Sequence, residues 1–159
     1  MYVQDHGASL YRRGMYTLIK RTVPPPTMSI FDASNRDVCE VRRLKTNTPL
    51  QALVMMNDPT VLEASRVLAA KLLQENNQVS DKINKAFRMI VCRKPTEKEM
   101  GILTAYYSKE LKKINLKQAN KLLAVGEYPI PNQIDKQLLA ALMRVVNTIY
   151  NLEETITRT

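Results

Sequence analysis

From Pro49 onward, apolar residues recur with the 3.6-residue period of amphipathic helices. Thr48-Pro49 and Asp58-Pro59 each set a capping side chain before a proline that suits a first helical turn, and they predict helices near 49–57 and 59–76. In the second of these, Leu62, Ser65, Leu68 or Ala69, and Leu72 form the inward stripe. Ser80 opens a helix in which Ile83, Ala86, Phe87, Ile90 and Val91 keep the period, and Arg93-Lys94-Pro95 ends it with cations at the negative end of the helix dipole. Thr96 and Glu99 have capping-box spacing and start a helix near 97–114 that turns Met100, Leu103, Tyr107, Leu111 and Ile114 inward. A short helix near 116–125 stops at Gly126. The two prolines of EYPIPN then enforce a loop, and a last helix near 132–151 buries Ile134, Leu138, Leu142, Val145 or Val146, and Ile149. Nowhere does a strand-length alternation meet a hairpin turn signal.

The first 48 residues are less regular. Ser9 to Arg21 suits a helix with Leu10, Met15, Leu18 and Ile19 available for burial, although Gly14 weakens it. Pro24, Pro25 and Pro26 predict an extended, polyproline-like run, Asp32 to Asn35 a turn or cap, and Asp37 to Arg43 one or two helical turns. The expected fold is all-α: an irregular extended N-terminal segment packed on a bundle of about five to seven helices, as one domain over 1–159. No repeat and no Gly/Ser-rich linker divides the chain.

Composition adds mostly exclusions. At 159 residues, 45 % hydrophobic and 25 % charged, this is an ordinary globular chain, long enough to bury a core without metal or disulfide staples. No apolar run is long enough for a transmembrane helix, and the first residues lack the apolar centre of a secretory signal. The net charge of +9 suggests a polyanion partner, but only three of those charges fall in residues 1–58 and six in the rest, with no run of five like charges. With no Trp and only two Phe, no base-stacking platform is evident, so specific nucleic-acid binding is not expected. Cys39 and Cys92 form no CxxC pair and His6 is the only histidine, which leaves no zinc or haem-attachment signature and no cofactor for this chain itself. Cys92 beside Ile90 and Val91 reads as a buried, inert thiol. A Cys39–Cys92 disulfide would require an oxidising compartment.

One stretch carries a dense series of short motifs: Arg12-Arg13, Tyr16-Thr17, Lys20-Arg21-Thr22, Pro24 to Pro26, Phe31-Asp32-Ala33, Arg36-Asp37, Cys39, Arg42-Arg43, Thr46 to Leu53, and Asn57-Asp58-Pro59. In this order they resemble the C-terminal part of the planctomycete-type domain of unknown function numbered 1553. The likeness continues more loosely through Ala86-Phe87-Arg88, RKPTEKE and Asn151 to Glu154, while Glu154-Thr155-Ile156 departs from the family's usual ending. The resemblance implies a C-terminal fragment of a longer, exported, periplasmic or cell-surface protein. It also implies upstream domains as partners, among them a c-type cytochrome that would carry the haem. No activity is implied.

Asp32, Asp37 and Asp58 are the candidate catalytic carboxylates, as paired carboxylates serve glycoside hydrolysis. The plainer expectation is that Asp58 is an N-cap and Asp32 a turn residue. A triad through His6 and haem ligation by Met55 or Met56 are weaker readings still, since helix methionines are usually core filler. The sharper feature is a polar group of Arg12, Arg13, Arg21, Asp32, Arg36, Asp37, Arg42, Arg43, Asn47, Asn57 and Asp58. It reads either as an ion-pair network pinning the irregular segment to the bundle, or as an anion site for an acidic glycan or a partner domain. A non-catalytic docking or structural module is therefore the first functional reading, a carbohydrate-processing or glycan-binding role the second, and weak non-specific polyanion binding the third.

Overall fold

The computed structural model describes residues 3, 5–20, 22–34, 41–42, 46–75, 78–131 and 133–157. Eight α-helices run through them: α1 (Pro26–Ile30), α2 (Pro49–Asn57), α3 (Pro59–Leu73), α4 (Val79–Val91), α5 (Glu97–Lys113), α6 (Leu116–Leu123), α7 (Lys136–Tyr150) and α8 (Glu153–Ile156). The chain is all-α. Among the described residues the only β pairing is an isolated bridge between Lys20 and Val23. Among the described residues no helix is long and apolar enough to cross a membrane.

The helix starts follow their caps. Thr48 and Gln51 form a reciprocal capping box on α2, Thr96 and Glu99 on α5, and Asn115 and Gln118 on α6. The Asp58 carboxylate accepts from the Thr60 and Val61 amides, and Asp135 does the same for Gln137 and Leu138 on α7. Each carboxylate satisfies N–H groups that have no partner within the first helical turn.

Helix α7 is the axis of the molecule. It packs against α3, α4, α5 and α6, and it buries Leu139, Ala140, Ala141, Leu142, Met143, Val145, Val146, Asn147 and Ile149. The expected stripes hold on α3, α4 and α5, where Leu68, Ala69, Leu72, Ile83, Phe87, Leu103 and Tyr107 are buried. On α7 the register differs at one position: Leu138 lies outward at 37 % exposure while Leu139 is fully buried. A helix enclosed on several sides has no single apolar stripe, so its period leaves the phase open by one residue.

The N-terminal expectations need more correction. Of the helix expected over Ser9 to Arg21, the described residues 9–20 form no α-helix. The chain makes two short 3-10 turns, Gly7–Tyr11 and Gly14–Tyr16, separated by extended residues at Arg12 and Arg13. With no buried residue in either turn, no apolar face stabilises a longer helix there, and marginal propensity cannot do so alone. The proline run is not extended throughout. Pro25 is extended (φ −57°, ψ 129°), but Pro26 occupies the first position of α1, where its fixed φ and missing N–H suit a helix. The expected turns at Asp37 to Arg43 and the thiol of Cys39 fall largely outside the described residues. Cys92 is neither buried nor within the helix: it is a free, exposed thiol that ends α4 in the left-handed conformation, φ 63°.

Candidate functional site

The most concentrated chemistry lies on one face of α3. Glu63 and Arg66 are one turn apart and only 5 % and 2 % exposed. They face the loop that follows α6. Glu63 Oε1 accepts the Tyr128 amide at 2.7 Å and the Tyr11 hydroxyl at 2.8 Å, and Oε2 accepts the Glu127 amide at 3.1 Å. Arg66 Nη2 donates to the Tyr128 carbonyl at 2.6 Å. The two side chains thus grip both polar ends of Tyr128's backbone. Burial acts to raise the Glu63 pKa, but the Tyr11 hydroxyl, the two amides and the Arg66 charge outweigh it and hold the group below the ordinary carboxylate range. The same carboxylate, accepting Tyr11's proton, pushes that phenol's pKa up.

The grip continues outward. Glu127, fixed by its amide, takes His6 Nδ1 at 2.6 Å and the Gly7 amide at 2.8 Å. The first 3-10 turn is therefore held by two glutamates, one on α3 and one on the loop. Beside it a cavity of about 440 Å³ opens, lined by Tyr11, Val67, Met89, Ile90 and Tyr150, with Glu63 and Lys71 as its charged groups.

A second polar junction holds the segment before α2. Asp32, at φ 54°, accepts both the amide and the hydroxyl of Thr46, at 2.8 and 2.7 Å. Gln51 is 1 % exposed and donates from Nε2 to the Ile30 carbonyl at 2.8 Å and to Thr46 Oγ1 at 3.0 Å. A third junction joins the turn after α4 to the chain end. Arg93 forks onto Glu99 at 2.7 and 2.9 Å and onto Glu154 at 2.7 and 2.8 Å, with its guanidinium 4.9 Å from the Phe87 ring centre. The Arg93 fork and the Thr96 cap bring the Glu99 pKa down to about 2.

The residues proposed from sequence fall into separate places. Asp58 caps α3, Asp32 holds Thr46, and Asn57 bonds back to the Leu53 carbonyl at 2.8 Å. Arg12, Arg13, Arg42 and Asn47 are exposed, and among the described residues no ion pair within 4.0 Å reaches the three arginines. Arg21, Arg36, Asp37 and Arg43 lie outside the described residues. Glu63, Arg66 and Gln51 were not anticipated. Their signal was charged or amide side chains at i, i+3 spacing on a helix that caps and apolar stripes already place against the bundle.

Residues 1–107, about two-thirds of the chain, match the family model described as PSD1, a protein of unknown function (DUF1553). The chain belongs to this family. No curated protein and no solved structure matches it. In this PSD1 member the matched stretch runs from the N-terminal turns into α5, so it contains α2, α3 and the Glu63 and Arg66 pair. The Tyr128 loop and α7 that complete the site lie beyond the match.

Proposed function

We propose that this chain is a non-catalytic docking module whose N-terminal segment and α2 receive another domain of the same exported polypeptide, one linked to a c-type cytochrome. The observation that supports this is where exposed apolar side chains lie. Val3, Tyr11, Met15, Tyr16, Leu18, Val23, Leu50 and Leu53 are each more than half exposed, whereas the buried hydrophobic core begins only at Leu68. The segment is held by polar bonds through Glu63, Glu127, Asp32 and Gln51, which leaves its apolar side chains facing outward. An apolar surface of that kind on a folded chain is a contact surface by ordinary surface statistics. Arg12 and Arg13 stand among these residues, and no carboxylate lies between Gly7 and Phe31. The complementary partner face is apolar with an acidic rim.

Asp58 and Asp32, two of the three candidate catalytic carboxylates, are occupied as a cap and a tie, which favours docking over hydrolysis. The exposed, unpaired Arg12 and Arg13 beside Tyr11 and Tyr16 favour one second reading, an acidic glycan stacked on the same surface. Hydrogen exchange tests the proposal by comparing this chain with the longer polypeptide that the proposal requires. Residues 5–20 and 50–56 should gain protection in the longer chain, while α4 stays the same. A Met15→Ser, Tyr16→Ser, Leu18→Ser variant should abolish the gain without lowering the melting temperature of the isolated chain. Equal protection of residues 5–20 in both polypeptides overturns the reading.

A further inference from the structure

Arg66 carries a second observation that the docking reading does not use. It is 2 % exposed, yet among the described residues its guanidinium makes one hydrogen bond, to the Tyr128 carbonyl, and its Nε is buried with no partner. A guanidinium has five N–H donors, and a buried cation so sparsely paired is costly to a fold. The Glu63 carboxylate, one turn away on the same helix, meets the Arg66 charge only at longer range. Glu63 is committed to Tyr11 and two amides, and no described carboxylate lies within 4.0 Å of Arg66.

Arg66 also lines a cavity of about 160 Å³ between α3 and the Tyr128–Pro131 turn. Lys71 is the second cation there, and Val67, Ile130, Pro131 and Leu139 supply apolar wall. A volume of that order accommodates a benzene-sized molecule, larger than a simple inorganic anion. The site therefore offers two cations and an apolar wall in one small space.

We propose that this cavity binds a small organic monocarboxylate. Its carboxylate lies on the Arg66 guanidinium, within reach of Lys71, and its hydrocarbon part rests against Val67, Ile130 and Leu139. The fork geometry of a guanidinium suits a planar carboxylate bidentately, and the apolar wall disfavours a fully hydrated phosphate or sulfate. The site stands apart from the docking surface and survives if that reading fails.

Nitrogen–proton NMR titration of the folded chain tests it, with benzoate as probe and benzamide as its neutral isostere. Benzoate should bind saturably with a Kd near about a millimolar, as expected for fewer than ten non-hydrogen atoms. The Arg66 Nε–H and Ile130 amide resonances should shift most. Benzamide should bind at least about tenfold more weakly, because its contacts lose the charge assistance. Arg66→Met should abolish binding but risks the fold. Lys71→Met, at an exposed position, should leave the fold intact and weaken benzoate several-fold. Four results would each overturn the proposal: no saturation by about 50 mM, well above the expected Kd; equal binding of benzamide; tighter binding of inorganic phosphate; or shifts that map away from Arg66.

Discussion

Gly126 and the Glu63 carboxyl occupy adjoining space so tightly that a Cβ on Gly126 would stand 2.2 Å from Glu63 Oε2 and 2.7 Å from Glu63 Cβ. Gly126 also sits at φ +87°, a backbone conformation that side-chain-bearing residues resist. These two constraints explain how the loop after α6 approaches α3 closely enough for the amides of Glu127 and Tyr128 to reach a buried carboxylate. Gly126→Ala must both strain the backbone and displace Glu63. It should destabilise the chain by about 2–4 kcal/mol in urea unfolding. A loss under about 1 kcal/mol would mean the loop relaxes without cost.

Tyr11 provides the one side-chain bond from the N-terminal turns to α3. Tyr11→Phe removes a hydroxyl donor but not the ring, so global stability should fall by only about 1 kcal/mol. The local effect should be larger. Amides of Arg12, Tyr16 and Thr17, bonded within the two 3-10 turns, should exchange faster by hydrogen-exchange mass spectrometry. Unchanged exchange there would assign the anchoring to Glu127 alone.

Gln51 ties three pieces of chain together through Ile30, Thr46 and Thr48. Gln51→Ala leaves the half-buried Ile30 carbonyl and the Thr46 hydroxyl without their donor, at a cost of about 2–3 kcal/mol. Limited proteolysis should then cut within 22–34 before it cuts the bundle. Simultaneous loss of bundle and segment would show that the two unfold as one unit.

The Arg93 junction sets an acid limit. Glu99 has its pKa lowered from 4.5 to about 2 in the folded chain, and Glu154 and Glu63 are lowered as well. Groups with depressed folded pKa values contribute stability that is present above their unfolded value and lost as pH falls through the folded one. The melting temperature should therefore drop between pH 4.5 and about 2, and Glu99→Gln should flatten that drop. Arg93→Met should lower the melting temperature at neutral pH more than Arg88→Ala, an exposed change in the last turn of α4. A Glu99→Gln profile parallel to the parent's would remove this junction from the acid response.

Cys92 ends α4 in a left-handed conformation that glycine adopts without steric penalty. Cys92→Gly should raise stability by about 0.5–1 kcal/mol, measured by thermal or urea unfolding. A destabilised glycine variant would point to a packing role for the thiol.

Helices α2, α3 and α5 were legible because each states its own start locally, and α4 because of its apolar period. Asp58 before Pro59, the Thr96 and Glu99 pair, and the Ile83 to Val91 stripe are instructions read over a few residues, where backbone sterics and burial agree. The family likeness was legible for the same reason, as ordered short motifs in residues 10–70. Tertiary structure alone decided the rest. Whether residues 9–20 coil into a helix depended on an apolar face to bury them, and none was offered. Whether Leu138 or Leu139 faced inward depended on how many neighbours enclosed α7. Glu63 and Arg66 could be buried only because a loop sixty residues away brings two amides and a carbonyl to them. Local chemistry specifies helices, but the desolvation of a charge is decided by partners that only the folded chain brings within reach.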